Sequence, residues 1–125
     1  MTVIVPTRDR PVMLARAVRS IIGQSYPGEI ECVIVFDQSD PAQVNVELPP
    51  GRRVRLVTNT RTPGAAGARN TGIMASDGPL VAFCDDDDAW DPSKGVKLPN
   101  PGGDPDQGDV IVTIRDFFRF AGLIA

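Results

Sequence analysis

Histidine is absent from the 125-residue sequence, which also has only two cysteines, one tyrosine and one tryptophan. Without histidine, the chain supplies no histidine-based catalytic triad, no histidine general base and no histidine ligand for zinc. Cys32 and Cys84 both lie in apolar, strand-like runs, so we expect reduced core residues rather than a disulfide. No apolar run approaches the ~18 residues of a membrane-spanning helix, and the N-terminal residues lack the basic and apolar regions of a signal peptide. These absences favour a cytoplasmic protein.

Basic and acidic residues are unevenly distributed along the chain. Residues 1–80 contain nine arginines against seven acidic residues, whereas residues 81–125 contain four basic residues against nine aspartates. The net charge of −3 favours neither nucleic acid nor an anionic membrane as the main partner. The distribution suits a site in which arginines and a carboxylate-bound cation face a phosphorylated ligand.

The hydrophobic pattern predicts one domain in which strands and helices alternate. Predicted strands cover residues 2–6, 31–36, 53–57 and 80–84, and predicted helices cover residues 11–23 and 64–75. A short irregular helix is expected near residues 42–50, a Pro/Gly-rich loop at 92–108, a last strand at 109–114 and a short apolar helix at 115–123. This order predicts an α/β fold with a largely parallel sheet, in which ligands bind beyond the carboxyl ends of the strands.

Four consecutive aspartates (residues 85–88, the aspartate tetrad) follow the predicted strand at residues 80–84. Adjacent like charges at a strand end are unfavourable, so a hard divalent cation that prefers oxygen ligands is the natural partner. Asp87 is the best candidate ligand, and Asp85 is placed to join it. Arg69, in the helix before this strand, is placed to meet a phosphate or to order the carboxylates. The alternative interpretation is an acidic turn left in water, as most charge runs are.

Four segments together resemble the family 2 glycosyltransferases. They are residues 3–11 (VIVPTRDRP), 20–27 (SIIGQSYP), 67–73 (GARNTGI) and 83–94 (FCDDDDAWDPSK). The resemblance spans about residues 2–94. It implies a GT-A fold, a Rossmann-like and mostly parallel sheet with flanking helices, truncated relative to the full family fold. Residues 1–94 would form the nucleotide-sugar-binding subdomain, and residues 95–125 a Pro/Gly-rich loop and divergent C-terminal segment rather than a separate domain.

The resemblance also implies a role for individual residues. Pro6, Thr7 and Arg8 would line the nucleoside pocket, Asp37 would hydrogen-bond the base, and Arg69 would lie beside the nucleotide. The tetrad covers the family's DXD motif, with Asp87 on a Mg²⁺ or Mn²⁺ ion and Asp85 or Asp86 directed towards the ribose or the metal. The usual Asp-Asp-Gly-Ser turn is replaced here by residues 36–39 (FDQS), which keeps Asp37 in place.

The implied reaction is inverting transfer of a sugar from a UDP-, GDP- or dTDP-sugar to an acceptor that the sequence does not identify. A lipid-linked acceptor would bring the protein to a membrane surface. Family members carry the catalytic base in a longer C-terminal half, and no acid of this sequence matches that motif. We therefore keep open a non-catalytic nucleotide- and metal-binding fragment or assembly module. A nucleotidyltransferase is disfavoured, because the Gly-rich, Lys-containing loop of such enzymes is missing after the first strand.

Overall fold

The computed structural model describes residues 1–76 and 80–92, and the backbone of 112–113. Its elements are β1 (Thr2–Thr7), α1 (Pro11–Ile22), β2 (Ile30–Phe36), β3 (Arg52–Thr58), α2 (Ala65–Ala75), β4 (Leu80–Phe83) and β5 (Val112–Thr113). The sheet order is β3-β2-β1-β4-β5. The first four strands run parallel, and β5 pairs antiparallel with β4. The predicted α/β fold with a largely parallel sheet is confirmed.

Two apolar clusters cover the two faces of the sheet. Successive residues of a strand point to opposite faces, so Val3 and Val5 join the cluster that contains α1, while Ile4 joins the cluster that contains Ala68 and Ile73 of α2. The parallel strands β1 and β2 are therefore almost continuously apolar, as strands covered on both faces are. Cys32 and Cys84 are buried, as predicted, and do not form a disulfide.

Helix α1 begins and ends where the sequence predicts. Pro11 occupies its first turn, where the missing N–H costs nothing. At its other end, the Arg52 guanidinium donates to the carbonyl oxygens of Ile22, Gln24 and Tyr26 at 2.8–3.2 Å, and also to those of Gly28 and Gly51. One arginine thus satisfies carbonyls that the helix end leaves without partners. No described helix is long and apolar enough to cross a membrane.

The connection from β2 to β3 differs from expectation. No regular helix forms between residues 41 and 49, so the predicted short helix near residues 42–50 is wrong. Val44 and Val46 instead pack on the α1 side of the core, and a spacing of two residues is that of extended chain. Among the C-terminal predictions, the strand at 109–114 is confirmed over the two residues of β5. The predicted loop from residue 93 to 108 and the predicted helix at 115–123 lie outside the described residues.

The chain after the tetrad returns to α1. Trp90 is buried in the α1-side cluster, and its backbone N–H donates to Ser20 Oγ at 2.9 Å. Gln24 Nε2 donates to the carbonyl of Asp91 at 2.7 Å, and the Ser25 N–H donates to that of Pro92 at 2.9 Å. These contacts fix the C-terminal end of the loop that carries the tetrad.

Candidate functional site

The polar residues that follow β1, β2 and β4 meet at the carboxyl edge of the sheet, as the sequence predicts. The Asp37 N–H donates to the carbonyl of Thr7 at 2.9 Å, and the Cys84 N–H donates to that of Ile4 at 3.0 Å. Thr7 Oγ1 in turn donates to Asp86 Oδ2 at 2.9 Å. The ends of the three strands therefore form one continuous polar surface.

The aspartate tetrad separates into two parts. Asp86 is only 8% exposed, and its carboxylate accepts from Thr7 and from Arg10 Nη1, the latter at 3.4 Å. The side chains of Asp85, Asp87 and Asp88 are more exposed, and each has a carboxylate oxygen within 4.8 Å of the other two. The inward carboxylate holds the loop to β1, and the other three form the acidic cluster.

Two arginines face the tetrad. Arg69 of α2 lies with Nη2 3.0 Å from Asp85 Oδ1, at the position predicted from the sequence. Arg10, the residue before α1, lies with Nη1 3.4 Å from Asp86 Oδ1 and 3.9 Å from Asp87 Oδ2. The sequence did not point to Arg10 as a site residue, although Arg10 lies only three residues after the predicted Thr7. Arg69 Nε is buried and has no hydrogen-bond partner among the described residues.

The acidic cluster fits a divalent cation. Carboxylate oxygens are the ligands that Mg²⁺ prefers, at bonds of about 2.0–2.1 Å. Asp85, Asp87 and Asp88 each offer one oxygen, and these oxygens lie within 4.8 Å of one another, so the three side chains can converge on one ion by moving closer together. The sequence singled out Asp87 and Asp85 for this role and missed Asp88 as a third member.

Asp37 lies at the end of β2 and is 7% exposed. Its Oδ1 accepts from Asn59 Nδ2 at 3.0 Å, and its Oδ2 accepts from the Gly64 N–H at 3.0 Å and from Gln38 Nε2 at 3.2 Å. The hydrogen bond from Asn59 is the main cause that lowers the pKa of Asp37, although burial acts in the opposite direction. Asp37 is therefore held as a carboxylate that only accepts hydrogen bonds.

The remaining predicted residues lie beside these groups. Pro6 is partly buried in β1, Thr7 is buried, and Arg8 is exposed in the turn before α1. The positive charge of Arg8 is a minor contribution to the lowered pKa of Asp37. The structure thus brings the residues predicted from three separate segments to one edge of the sheet.

Comparison with known proteins agrees with this geometry. The sequence model of the family described as "Glycosyl transferase family 2" matches residues 2–121, which extends beyond the motifs at residues 3–94. The chain is 32% identical over 90 residues to an Escherichia coli UDP-Glc:alpha-D-GlcNAc-diphosphoundecaprenol beta-1,3-glucosyltransferase, covering 72% of this chain and 36% of that protein. It is 33% identical over 92 residues to a Campylobacter jejuni GalNAc(5)-diNAcBac-PP-undecaprenol beta-1,3-glucosyltransferase, covering 70% and 29%.

A solved structure is similar as well. The mannosyltransferase PcManGT from Pyrobaculum calidifontis, in complex with GDP-Man and Mn²⁺, matches with a TM-score of 0.57 and 29% identity over 71% of this chain and 28% of that one. The fold and the strand-end carboxylates define a GT-A glycosyltransferase architecture. The chain belongs to glycosyltransferase family 2, and it spans about a third of the length of the relatives it matches.

Proposed function

We propose that this chain is the donor-binding part of an inverting glycosyltransferase that takes a sugar from a nucleoside-diphosphate sugar with the help of Mg²⁺ or Mn²⁺. The observation that carries the proposal is the arrangement of three outward carboxylates between two arginines, at the carboxyl edge of a parallel sheet. Ligands of such sheets bind at this edge. The similar mannosyltransferase structure, in complex with GDP-Man and Mn²⁺, supports the same interpretation.

On this proposal, Asp85, Asp87 and Asp88 hold the cation. When bound, the cation neutralises the diphosphate and stabilises the charge that develops as the bond between the sugar and the phosphate breaks. The guanidinium Nε of Arg69 has no hydrogen-bond partner among the described residues. A phosphate oxygen of the donor would be such a partner. Arg10 holds the inward Asp86. This contact fixes the loop and therefore the positions of its other three carboxylates.

The nucleoside would bind beside the cation. Pro6, Thr7 and Arg8 form the end of β1 and the turn after it, and Asp37 lies next to them through its N–H bond to Thr7. We assign the base to Asp37 and the ribose to Asp85. Asp86, the other candidate from the sequence, is buried and accepts from Thr7 and Arg10, so its role is to hold the loop. The described residues contain no acid that matches the family's catalytic base, so the proposal is confined to the donor side.

We assign a lipid-linked acceptor and a place on the cytoplasmic face of a membrane by analogy with the relatives named for undecaprenol-diphosphate substrates. The competing proposal is a module that binds donor without transferring sugar. It shares every donor-side contact and differs only in lacking turnover.

The experiment is an equilibrium titration of the protein with UDP, GDP and dTDP, each with and without Mn²⁺. We expect at least one nucleotide to bind in a Mn²⁺-dependent manner, and we expect Asp87→Ala to remove that dependence. Glu47→Ala is the matched control, because it removes the same charge from an exposed position outside the cluster. Binding that is absent, or that is unaffected by both Mn²⁺ and Asp87→Ala, contradicts the proposal. Hydrolysis of the bound sugar nucleotide, measured next, separates the enzyme from the binding module.

A further inference from the structure

Asn59, directly after β3, uses the whole hydrogen-bonding capacity of its amide. Its Nδ2 donates to Asp37 Oδ1 and to the Thr62 carbonyl, both at 3.0 Å. Its Oδ1 accepts from Thr71 Oγ1 at 2.8 Å and from the Arg61 N–H at 3.0 Å. A side-chain amide has two N–H donors and two acceptor lone pairs, so all four are satisfied.

This arrangement fixes which end of the amide faces Asp37. Turning the amide over would place its oxygen against the Asp37 carboxylate and the Thr62 carbonyl, and would place its NH₂ group against the Arg61 N–H. The hydrogen bonds with Asp37, the Thr62 carbonyl and the Arg61 N–H would be lost, and only the Thr71 hydroxyl, which can also accept, could form a new one. Asn59 is therefore held as a donor towards Asp37.

The number of acceptor positions left on Asp37 follows from this. An ionised carboxylate has about four lone-pair sites. Asn59 occupies one site on Oδ1, and the Gly64 N–H and Gln38 Nε2 occupy both sites on Oδ2. One site on Oδ1 is left.

We propose that Asn59 is a positioning residue that keeps Asp37 as an acceptor with one open lone pair, and that it thereby selects a base with a single ring N–H, such as uracil or thymine, over cytosine. The inference rests on the proposed function, in which Asp37 receives the base. The ring N3–H of uracil donates one hydrogen bond to such an acceptor. The N3 atom of neutral cytosine carries a lone pair, which the carboxylate repels.

The electrostatic surroundings of Asp37 support this role. The charged neighbours of Asp37 are Arg8 in the turn after β1, Asp40 in the same turn as Asp37, and Arg61 in the loop after β3. Asp37, Asp40 and Arg61 line one depression of about 380 Å³. The hydrogen bond from Asn59 lowers the pKa of Asp37 more than any other contact does. Its removal is therefore expected to raise that pKa.

The test compares wild type with Asn59→Ala and Thr71→Val. The second variant keeps the donor and the packing volume but removes the hydroxyl that orients Asn59, so it guards against a first variant that fails to fold. The pKa of Asp37 is measured by NMR titration of its carboxyl carbon without nucleotide, and the affinities for UDP and CDP are measured with Mn²⁺. Asn45→Ala, on the exposed connection between β2 and β3, is the matched control.

We expect the pKa of Asp37 to rise in both variants. We expect the preference for UDP over CDP to fall about tenfold in Asn59→Ala, because a carboxylate that Asn59 no longer orients would lose much of its charged hydrogen bond to the ring N–H of uracil. An unchanged pKa in both variants overturns the positioning role, whether or not any nucleotide binds. A raised pKa with an unchanged preference overturns the role in base selection. A wild-type protein that binds neither UDP nor CDP overturns base selection, while the titration still decides the positioning role. The proposed function is refuted only if GDP and dTDP also fail to bind.

Discussion

Replacement of Gly67 in α2 by alanine gives opposite expectations from the sequence and from the structure. In a helix interior, Gly→Ala is ordinarily stabilising by about 1 kcal/mol, because alanine has the higher helix propensity. In this structure, a Cβ built on Gly67 would lie 1.8 Å from the carbonyl oxygen of Thr62, 2.8 Å from its carbonyl carbon and 3.1 Å from its nitrogen. We therefore expect Gly67→Ala to destabilise the protein.

The magnitude follows from what must move. Real Cβ atoms essentially never approach another heavy atom closer than 3.0 Å, so the Thr62 peptide has to retreat by more than an ångström. That carbonyl accepts a hydrogen bond from Asn59, whose loss costs about 1 kcal/mol. Overpacking of this kind costs about 1–3 kcal/mol. The lost hydrogen bond and the gain in helix propensity roughly cancel, which leaves a net loss of about 1–3 kcal/mol.

Urea unfolding monitored by circular dichroism measures this difference. With a slope of about 1–3 kcal/mol per molar urea, the midpoint should fall by roughly 1 M. Ala66→Gly is the control, because it changes helix propensity at the exposed neighbouring position and should cost no more than about 1 kcal/mol. A Gly67→Ala protein that is as stable as wild type, or more stable, would show that the loop before α2 is not packed against the helix as described.

Three further predictions concern pH, helix capping and thiol reactivity. Hydrogen bonds lower the pKa of Asp37 in the folded protein. The stability that its ionised form contributes is therefore complete above about pH 4, the pKa of the unfolded state, and is lost as pH falls through the lower folded pKa. In urea titrations, Asp37→Asn should thus be less stable than wild type at pH 7, and the difference should shrink at about pH 3. Arg52→Ala should lower the unfolding free energy by about 2–3 kcal/mol in the same assay, since it leaves several carbonyls at the end of α1 without a charged donor, and Arg52→Lys should recover only part of the loss. Burial raises the pKa of Cys32 to about 12, so iodoacetamide at about pH 8 should leave this thiol unmodified by mass spectrometry until urea unfolds the protein; rapid modification of the folded protein would contradict the buried position of β2.

Periodicity explains why most of the fold could be predicted. Apolar residues at helical spacing in α1, and nearly continuous apolar runs in β1 and β2, reflect burial that the sequence itself encodes. The connection at residues 42–50 carries no such pattern. Its two core-facing residues, Val44 and Val46, are few enough to satisfy either a helix or an extended chain. The position of this segment against the core, rather than its own propensity, decides its conformation.

The site was predictable to the level of the loop but not of the individual carboxylate. Four identical side chains in a row give no sign of which one turns inward. The inward position of Asp86 depends on the turn in which the Asp88 N–H donates to the Asp85 carbonyl at 3.1 Å. It also depends on the hydrogen bonds that Thr7 and Arg10 donate to Asp86. Asn59 was missed for a related reason. Its partners Asp37 and Thr71 are 22 and 12 residues away in sequence, so no local motif connects them.

Helix α2 connects the two halves of the proposed donor site. The N–H of Gly64, just before the helix, and Thr71 within it support Asp37 on the base side, while Arg69 reaches Asp85 on the cation side. A Cβ on Gly72 would lie 2.5 Å from Ile4 of β1, so this face of the helix also has no room to slide. A displacement of α2 would therefore disturb recognition of the base and of the diphosphate together.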